Sequence, residues 1–457
     1  MDQQAKVIAE LTERKVKRVK LAVVDMDGVL RGKYISFKKF ISIVENGSGF
    51  CDCVFGWDVA DNLYDNGVEF TGWHTGYPDA PYQIVLSSMR WLEDENLPLF
   101  LADFVDIDGK SPHPIAPRSI LKRVLKQAEE LGIGFKSAFE YEFFIFNETA
   151  DTIREKGYRN LKPLTPGMFG YSILRASSLS DLFNEFMEYS DSLNIPLEAV
   201  HCETGPGVWE AAIEVDYALA AADKATLFKT FAKVFFQRRE MVATFMARWS
   251  LDYPGQSGHV HLSPYSLDDG KNLFYDPSRK NNMSSMMEHF LAGMITHMRP
   301  FLSMTAPTIN SYTRLVKGFW APTAATWGVE NRTTALRVVP GSDKSQRVEY
   351  RVGAADSNPY LTAAALIGAG LEGINSKLKL SAPVIGSAYD VQDSLDSSLQ
   401  LPSSLKESTL GLRQSEEAVS LFGAKFVDHF AKSREWEVAE YEKVITDWQL
   451  SRYFEII

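Results

Sequence analysis

The sequence contains 457 residues, of which 45% are hydrophobic and 23% charged, so it is long enough for two domains of ordinary globular composition. The net charge of −11 at pH 7 argues against nucleic acid and anionic membranes as main partners. Three cysteines without a CxxC pair, a charged beginning of the chain and no apolar run approaching roughly 18 residues lead us to expect a cytoplasmic protein.

The first hundred residues are predicted to be mainly β. The pattern predicts a strand over residues 19–30 with Asp27-Gly28 as its turn, a long ordered loop over 57–81, and further strands over 82–104. Turn residues and prolines cluster at 106–114, where we expect the chain to pass from one domain to the next.

The cluster divides the chain into an N-terminal domain, residues 1–112, and a larger domain, residues 113–457. Strands and helices alternate in the second part. Helices are predicted over 117–131, 182–193, 217–249, 286–301, 358–378 and 407–454, and strands over 134–146, 208–215 and 259–263.

Four short segments place acids and histidines in apolar, strand-like surroundings, where carboxylates are rarely found unless they are paired or bind metal. They contain Glu140 and Glu142, Glu203 and Glu210, His259 and His261, and Glu349. Each segment alone has an ordinary explanation as a solvated strand edge, a surface turn or a core histidine. Together they favour a site for Mg²⁺ or Mn²⁺ over Zn²⁺, because most of the ligands are hard oxygens.

Basic residues are unusually dense after residue 313 for an acidic protein. They are Arg314, Arg332, Arg337, Lys344, Arg347 and Arg351. Surface ion pairs would explain such residues, but these alternate with apolar residues in strand-like fashion. Arginine binds phosphate and carboxylate oxygens in a bidentate manner, so an anion site beside the metal site indicates phosphoryl transfer from a nucleotide. There is no P-loop motif.

The chain resembles the glutamine synthetase family over nearly its whole length. The motifs that carry the resemblance are Phe139-Glu140-Tyr141-Glu142-Phe143, Glu203-Thr204-Gly205-Pro206-Gly207, Gly258-His259-Val260-His261-Leu262-Ser263, Asn310-Ser311-Tyr312-Thr313-Arg314, Asn331-Arg332, Arg347-Val348-Glu349-Tyr350-Arg351 and Asn358-Pro359-Tyr360-Leu361. The resemblance implies an α+β fold, with an N-terminal β-grasp domain and a catalytic domain whose curved antiparallel sheet is flanked by helices. It also implies stacked rings of subunits, usually a dodecamer, with active sites between neighbours.

The chemistry that the resemblance implies is ATP-dependent amide formation through γ-glutamyl phosphate, with two or three Mg²⁺ or Mn²⁺ ions per site. The family pattern assigns Glu142, Glu203 and Glu210 to one metal and Glu140, His259 and Glu349 to another. It assigns Glu142, Gly255, Arg314 and Arg351 to glutamate, and His261, Ser263, Arg332, Arg337, Lys344 and Arg347 to ATP.

One departure from the family pattern concerns the nitrogen substrate. Members that use ammonia carry a glutamate in a Pro-Gly-Tyr-Glu-Ala-Pro loop, where this chain has Trp320 in Lys317-Gly318-Phe319-Trp320-Ala321-Pro322. An indole accepts no proton, but its face attracts an alkylammonium by about 0.5–2 kcal/mol. Tyr171 matches a tyrosine that lines the ammonium site, and Asp58 and Asp61 match a loop that reaches into the neighbouring active site. By this pattern Asp58, Arg314, Arg332 and Trp320 would act in catalysis.

The preferred interpretation is therefore a γ-glutamyl-amine ligase that joins glutamate to a small primary amine in amine catabolism. Two alternatives are a glutamine synthetase that uses ammonia and a catalytically silent assembly protein, which the intact metal set disfavours. A further alternative comes from residues 23–30, which look like the nucleophile motif of haloacid-dehalogenase phosphatases. That family needs an α/β unit with parallel strands, so we interpret Asp27-Gly28 as a turn.

Overall fold

The computed structural model describes residues 3–109 and 111–457, and its first β-sheet is built from residues 18–104. The six strands of this sheet are β1 (Arg18–Val24), β2 (Leu30–Ser36), β3 (Ser48–Cys51), β4 (Asp79–Ile84), β5 (Arg90–Leu92) and β6 (Leu97–Phe104). They lie in the order β2-β1-β6-β4-β3, with β5 also paired to β6. The β1–β6 pair is parallel and the other pairs are antiparallel.

The second sheet carries the acids and histidines singled out above. Its nine strands are β7 (Ile133–Phe146), β8 (Leu197–Cys202), β9 (Val208–Ile213), β10 (Asp216–Tyr217), β11 (Val242–Thr244), β12 (Gly258–Ser266), β13 (Trp327–Val329), β14 (Leu336–Val339) and β15 (Arg347–Tyr350). The order is β13-β14-β15-β12-β7-β9-β8, with β10 and β11 paired to β7. Every pair except β13–β14 is antiparallel.

Fifteen α-helices occur within the described residues. They are α1 (Gln3–Glu13), α2 (Phe37–Asn46), α3 (Pro117–Glu129), α4 (Ala150–Glu155), α5 (Ile173–Ser178), α6 (Ser180–Ser192), α7 (Ala218–Gln237), α8 (Ser285–Thr305), α9 (Ser311–Arg314), α10 (Pro359–Asn375), α11 (Ala388–Val391), α12 (Leu405–Gln414), α13 (Glu416–Phe422), α14 (Ala424–Glu442) and α15 (Asp447–Tyr453). Strand β7 has an apolar and an acidic face. Phe139, Tyr141 and Phe143 are buried in the core, while Glu140 and Glu142 lie on the opposite face. The predicted α+β class with a mainly antiparallel sheet is confirmed.

The predicted helix over residues 217–249 is wrong beyond Gln237. Glu240 has a left-handed φ of 56°, which a helix cannot continue through. The residues that follow form β11 and pair with the end of β7. Helices α1 and α2 were also missed in the part predicted to be mainly β. Within residues 3–109 and 111–457, no helix is long and apolar enough to cross a membrane.

The Asp-x-Asp-Gly segment at residues 25–28 forms the turn of the antiparallel β1–β2 hairpin. Asp25 Oδ1 accepts hydrogen bonds from the backbone N–H groups of Asp27 (3.0 Å) and Val29 (2.8 Å). Asp27 pairs at 2.7 Å with Arg434 of α14. Asp25 therefore shapes a turn that docks on the C-terminal helices, and the phosphatase interpretation is not supported by this topology.

Asp25→Asn is expected to change how stability depends on pH. Burial, together with the charge of Asp27, raises the pKa of Asp25 to about 7. The folded state then binds the proton more tightly than the unfolded state, so the contribution of Asp25 to stability is present below pH 4 and is lost as pH rises to about 7. The variant lacks this loss, so its thermal midpoint relative to the parent protein should rise between pH 4 and pH 7.

Calorimetric scans across that range check this expectation. The exposed Asp65, changed to Asn, serves as the control. A difference between Asp25→Asn and parent that stays constant with pH would contradict it.

A buried ion network joins the first sheet to the rest of the chain. Arg118 of α3 donates to both carboxylate oxygens of Asp223 of α7 (2.9 and 3.0 Å) and also to Asp103 of β6. The Tyr360 hydroxyl of α10 donates to the same Asp223 at 2.6 Å. The network fixes the sheet of the N-terminal part against α3, α7 and α10. The domain division at residue 112 stays a prediction.

Candidate active site

Strand register places Glu140, His259 and Glu349 on one face of the second sheet. Glu140 of β7 lies opposite His259 of β12, and Glu349 of β15 lies opposite His261. His259 Nδ1 is 3.4 Å from Glu349 Oε1 and 3.6 Å from Glu140 Oε2. One ligand atom from each of these three residues lies within 4.8 Å of the others. We call this set the first acid cluster.

A second acid cluster consists of His201, Glu203 and Glu210, whose ligand atoms also lie within 4.8 Å of one another. His201 Nε2 is 3.1 Å from Glu203 Oε1 and 3.8 Å from Glu210 Oε1. Glu210 lies opposite Glu142 on one side and opposite His201 on the other. Glu142 Oε2, however, accepts a hydrogen bond from the backbone N–H of Ser257. The set of ligand atoms within 4.8 Å of one another thus includes His201 and does not include Glu142.

The two clusters differ in their electrostatics, and in the second one the acids around Glu210 repel its carboxylate. Burial and the charges of Glu142 and Glu140 raise the pKa of Glu210 to about 10. At Glu349, burial would raise the pKa, but the charges of His259 and Arg351 outweigh it and hold the pKa at about 2. Buried carboxylates that repel one another need a counter-charge, and a cation bound between them supplies it. The donor atoms, mostly oxygen with one imidazole in each cluster, suit Mg²⁺ or Mn²⁺.

Sequence reasoning missed His201. His201 lies in strand β8, two residues before Glu203, whose N–H donates to the Val208 carbonyl and continues the pairing with β9. Residues i and i+2 of a strand share a face. That spacing, the same one that drew attention to Glu140 and Glu142, was the available signal. The Tyr171 ring stacks on the His201 imidazole at a centroid distance of 4.7 Å.

His201→Phe is expected to weaken metal binding at the second acid cluster. The phenyl ring keeps the stacking on Tyr171 but offers no nitrogen to Glu203, Glu210 or a cation. Loss of a group that holds metal-binding carboxylates typically lowers metal affinity about 10- to 100-fold. Calorimetric titration with Mn²⁺ would measure the change, with the exposed His74→Phe as control. Equal Mn²⁺ affinity in His201→Phe and His74→Phe would contradict it.

Both clusters open into one cavity of about 650 Å³, the first cavity. Its walls include these predicted site residues: Glu140, Glu142, Tyr171, Glu203, Glu210, Gly255, His259, Arg314, Trp320, Arg332, Arg337, Glu349 and Arg351. Four arginines therefore face five acids across the same space. The position of each residue in the fold is known from the structure, and its chemical role stays a prediction.

The arginines of the first cavity are held by backbone and acids. Arg314 is buried and donates to the carbonyl of Val352 (2.8 Å) and to Ser257 Oγ (2.9 Å). A Cβ on Gly255 would lie 2.6 Å from Arg314 Cγ, so only glycine allows this approach. Arg337 donates to Glu349 at 3.0 Å, and Arg351 donates to the same carboxylate.

A second cavity of about 300 Å³ lies on the other side of Glu140, which lines both spaces. It collects the remaining residues assigned to ATP: His261, Ser263, Lys344 and Arg347. Arg347 Nε donates to His261 Nδ1 at 3.2 Å, and Glu140 Oε1 is 3.0 Å from His261 Nε2. Arg332 and Arg337 line the first cavity instead, so the residues assigned to ATP are divided between two cavities that share Glu140.

The Trp320 loop, residues 317–322, forms an aromatic wall of the first cavity. Phe319 is 42% and Trp320 60% exposed, and Trp320 adopts a left-handed φ of 60°. Lys317 pairs with Asp393 at 2.9 Å. Two aromatic side chains thus line a cavity whose walls also carry nine charged residues, five acids and four arginines.

Asp58 and Asp61 lie outside both cavities of this chain. Asp58 Oδ1 accepts hydrogen bonds from the backbone N–H groups of Ala60 (2.9 Å) and Asn62 (2.8 Å). Asp61 pairs with Arg31 at 2.6 Å. These contacts fix the shape of the loop.

Comparison with known proteins fits this geometry. A family model described as glutamine synthetase, catalytic domain, matches residues 114–453. The chain is 44% identical to type-1 glutamine synthetase 2 of Dictyostelium discoideum, covering 100% of this chain and 87% of the relative. It is 37% identical to glutamate–isopropylamine ligase of a Pseudomonas species, over 98% and 97% of the two chains. The solved structure of apo GmaS matches with a TM-score of 0.85 and 25% identity, over 98% and 99% of the two chains.

The fold, the paired acid clusters and these matches define an ATP-dependent ligase that forms carbon–nitrogen bonds. The chain belongs to the glutamine synthetase family. Its relatives include an amine-using member as well as a glutamine synthetase.

Proposed function

We propose that this enzyme joins the γ-carboxylate of L-glutamate to a small primary amine, giving a γ-glutamyl amide, ADP and phosphate. The observation that carries the proposal is Trp320, which lines the first cavity together with Glu203 and Glu210. An aromatic wall at this place favours a nitrogen nucleophile with an alkyl or aryl group. Ammonium has no such group and would need an acid there instead.

The activation step uses the two cavities together. Arg314 and Arg351 hold the carboxylates of glutamate, with the backbone of Gly255 beside them, while Glu142 faces the amino group. His261, Ser263, Lys344 and Arg347 hold ATP from the second cavity, and Arg332 and Arg337 face its phosphates. The γ-carboxylate oxygen attacks the γ-phosphorus of ATP, the bond to ADP breaks, and γ-glutamyl phosphate forms. Arginines neutralise charge on the transferring group.

The acid clusters would hold two or three Mg²⁺ or Mn²⁺ ions during this reaction. Glu140, His259 and Glu349 provide one site, and Glu203 and Glu210, with Glu142 or His201, provide another. Bound there, the ions would stabilise negative charge on the phosphate oxygens. Repulsion between Glu210 and the acids around it, which raises the pKa of Glu210, supports the assignment of this group to a cation.

The second step is attack of the amine nitrogen on the γ-carbonyl carbon. The carbon–oxygen bond to phosphate breaks, and the nitrogen loses one proton to a base. We assign the base to Asp58 of a neighbouring subunit, with Asp61 beside it, because neither acid reaches a cavity of its own chain. Tyr171 and Trp320 close the space around the incoming nitrogen and limit the access of water to the acyl phosphate.

Assembly into stacked rings, usually twelve subunits, is part of the proposal. The last residues of the chain support it: Trp448, Phe454, Ile456 and Ile457 are exposed large apolar side chains, and α15 buries none of its residues in its own chain. A seven-residue helix with an uncovered apolar surface needs a partner to be stable. We place the enzyme in amine catabolism in the cytoplasm.

One experiment separates this function from its alternative. Phosphate release and product formation are measured with ATP, glutamate and a panel of ammonium, ethylamine, isopropylamine, ethanolamine and putrescine. We expect the highest kcat/KM with an alkylamine. The alternative, glutamine synthesis from ammonia, is favoured by the 44% identity to a glutamine synthetase and predicts that ammonium ranks first. Activity with none of the panel would favour a silent assembly protein.

A further inference from the structure

Arg248 lies behind the first cavity in an unusual environment for a charged residue. It is 6% exposed, and the hydrogen-bond acceptors of its guanidinium are backbone carbonyls rather than carboxylates. Its guanidinium donates to four backbone carbonyls, those of Ser250 (3.2 Å), Leu251 (2.9 Å), Tyr253 (3.0 Å) and Thr313 (2.8 Å). A buried guanidinium whose three nitrogens each donate to a backbone carbonyl organises the backbone around it.

The backbone that Arg248 organises carries residues of the first cavity. Tyr253 leads directly into Pro254 and Gly255, which line the cavity, and Thr313 precedes Arg314. The main chain of Arg248 is fixed as well, because its N–H donates to Asn310 Oδ1 and its carbonyl accepts from Asn310 Nδ2, both at 2.8 Å. One side chain therefore joins the two segments that meet at the proposed glutamate site.

The same guanidinium also touches the Trp320 loop. Its carbon lies 5.1 Å from the centroid of the Phe319 ring, within the range of a cation–π interaction. Phe319 precedes Trp320, and both rings are largely exposed. The Arg248–Phe319 contact thus ties the aromatic tip of the loop to the wall that carries Arg314 and Gly255.

We infer that Arg248 is a positioning residue for the step in which the amine attacks. This inference rests on the proposed function. It holds the Trp320 loop, through Phe319, at a fixed distance from the glutamate wall. A small displacement of groups around a reacting centre is costly, on the order of 10²-fold for 1 Å. A loosened loop would admit water to γ-glutamyl phosphate, so phosphate would be released without amide.

The test compares Phe319→Leu and Arg248→Lys with the parent enzyme. Phe319→Leu removes the ring and keeps every hydrogen bond of Arg248. Arg248→Lys keeps the charge but loses the planar guanidinium group and its hydrogen-bond geometry. The measurements are KM for the best amine, amide formed per phosphate released, and the thermal midpoint. Arg299→Met is the matched control, because Arg299 binds Gln400 and Glu407 and lines neither cavity.

We expect both variants to raise KM for the amine, by roughly 2- to 30-fold for loss of a cation–π contact. Amide formed per phosphate should fall in both, while the thermal midpoint of Phe319→Leu stays near that of the parent and Arg299→Met keeps the parent ratio. Unchanged KM and ratio in a folded Phe319→Leu enzyme would overturn the inference, even if Arg248→Lys fails to fold. If the parent prefers ammonium, the proposed amine specificity fails, and the ratio measured with ammonium still decides the role of Arg248.

Discussion

Glu140→Gln should lower kcat for ATP-dependent phosphate release by on the order of 10²- to 10³-fold, the size of effect seen when one charge-stabilising group of an active site is removed. The substitution keeps the volume of the side chain but removes its charge. Glu140 lies 3.6 Å from His259 Nδ1 and 3.0 Å from His261 Nε2, and it faces both cavities. The substitution would therefore remove a proposed metal ligand and a contact on the proposed nucleotide side together.

The measurement is phosphate release with saturating glutamate and amine, combined with Mn²⁺ titration. Mn²⁺ affinity should fall along with kcat, while the thermal midpoint without metal stays close to that of the parent. Glu214→Gln, an exposed residue just after β9, is the matched control. A Glu140→Gln enzyme with parent activity and parent Mn²⁺ affinity would show that the first acid cluster holds no catalytic metal.

Trp320→Glu should change the preferred nitrogen substrate. It places a carboxylate at the mouth of the first cavity, where ammonium can be bound and deprotonated, and removes the aromatic face that an alkyl group would contact. The ratio of kcat/KM for the best alkylamine to kcat/KM for ammonium should fall by about 10²-fold, the low end of what a well-placed general base contributes. Steady-state kinetics with both nitrogen sources measures this ratio.

Trp320→Gln separates charge from size in this experiment. Glutamine has the shape of glutamate without its basicity, so it should weaken amine use without creating efficient ammonium use. If Trp320→Glu and Trp320→Gln behave alike, the acid plays no part in ammonium selection. If both retain the parent ratio, Trp320 does not select the nitrogen substrate and the central observation behind the proposed function is lost.

Alternation along single strands made much of the site predictable. The i, i+2 spacing of Glu140 with Glu142, and of His259 with His261, correctly placed each pair on one face of a strand. What the spacing could not supply was register between strands far apart in sequence. Glu140 meets His259 across 119 positions of chain because of how β7 pairs with β12, and nothing local in either strand specifies that pairing.

Features decided by tertiary contacts were harder to predict. The end of α7 depends on β11 finding a partner in β7, a contact invisible in the local pattern. The contacts of Arg248 could not be predicted either, because its hydrogen-bond acceptors are backbone carbonyls, which every residue carries. The division of the ATP-assigned residues between two cavities, both lined by Glu140, was likewise not predictable from the local sequence.

The ion network around Arg118 bears on how the molecule melts. Splitting the chain near residue 112 would separate Asp103 from Arg118. Removing one partner of a buried ion pair typically costs about 3–5 kcal/mol, because the other charge stays buried and uncompensated. Neither piece would then keep its full resistance to heat. The N-terminal sheet and the larger helical part should thus unfold in one calorimetric transition rather than two. A substitution that destabilises either part should therefore lower the thermal midpoint of the whole subunit.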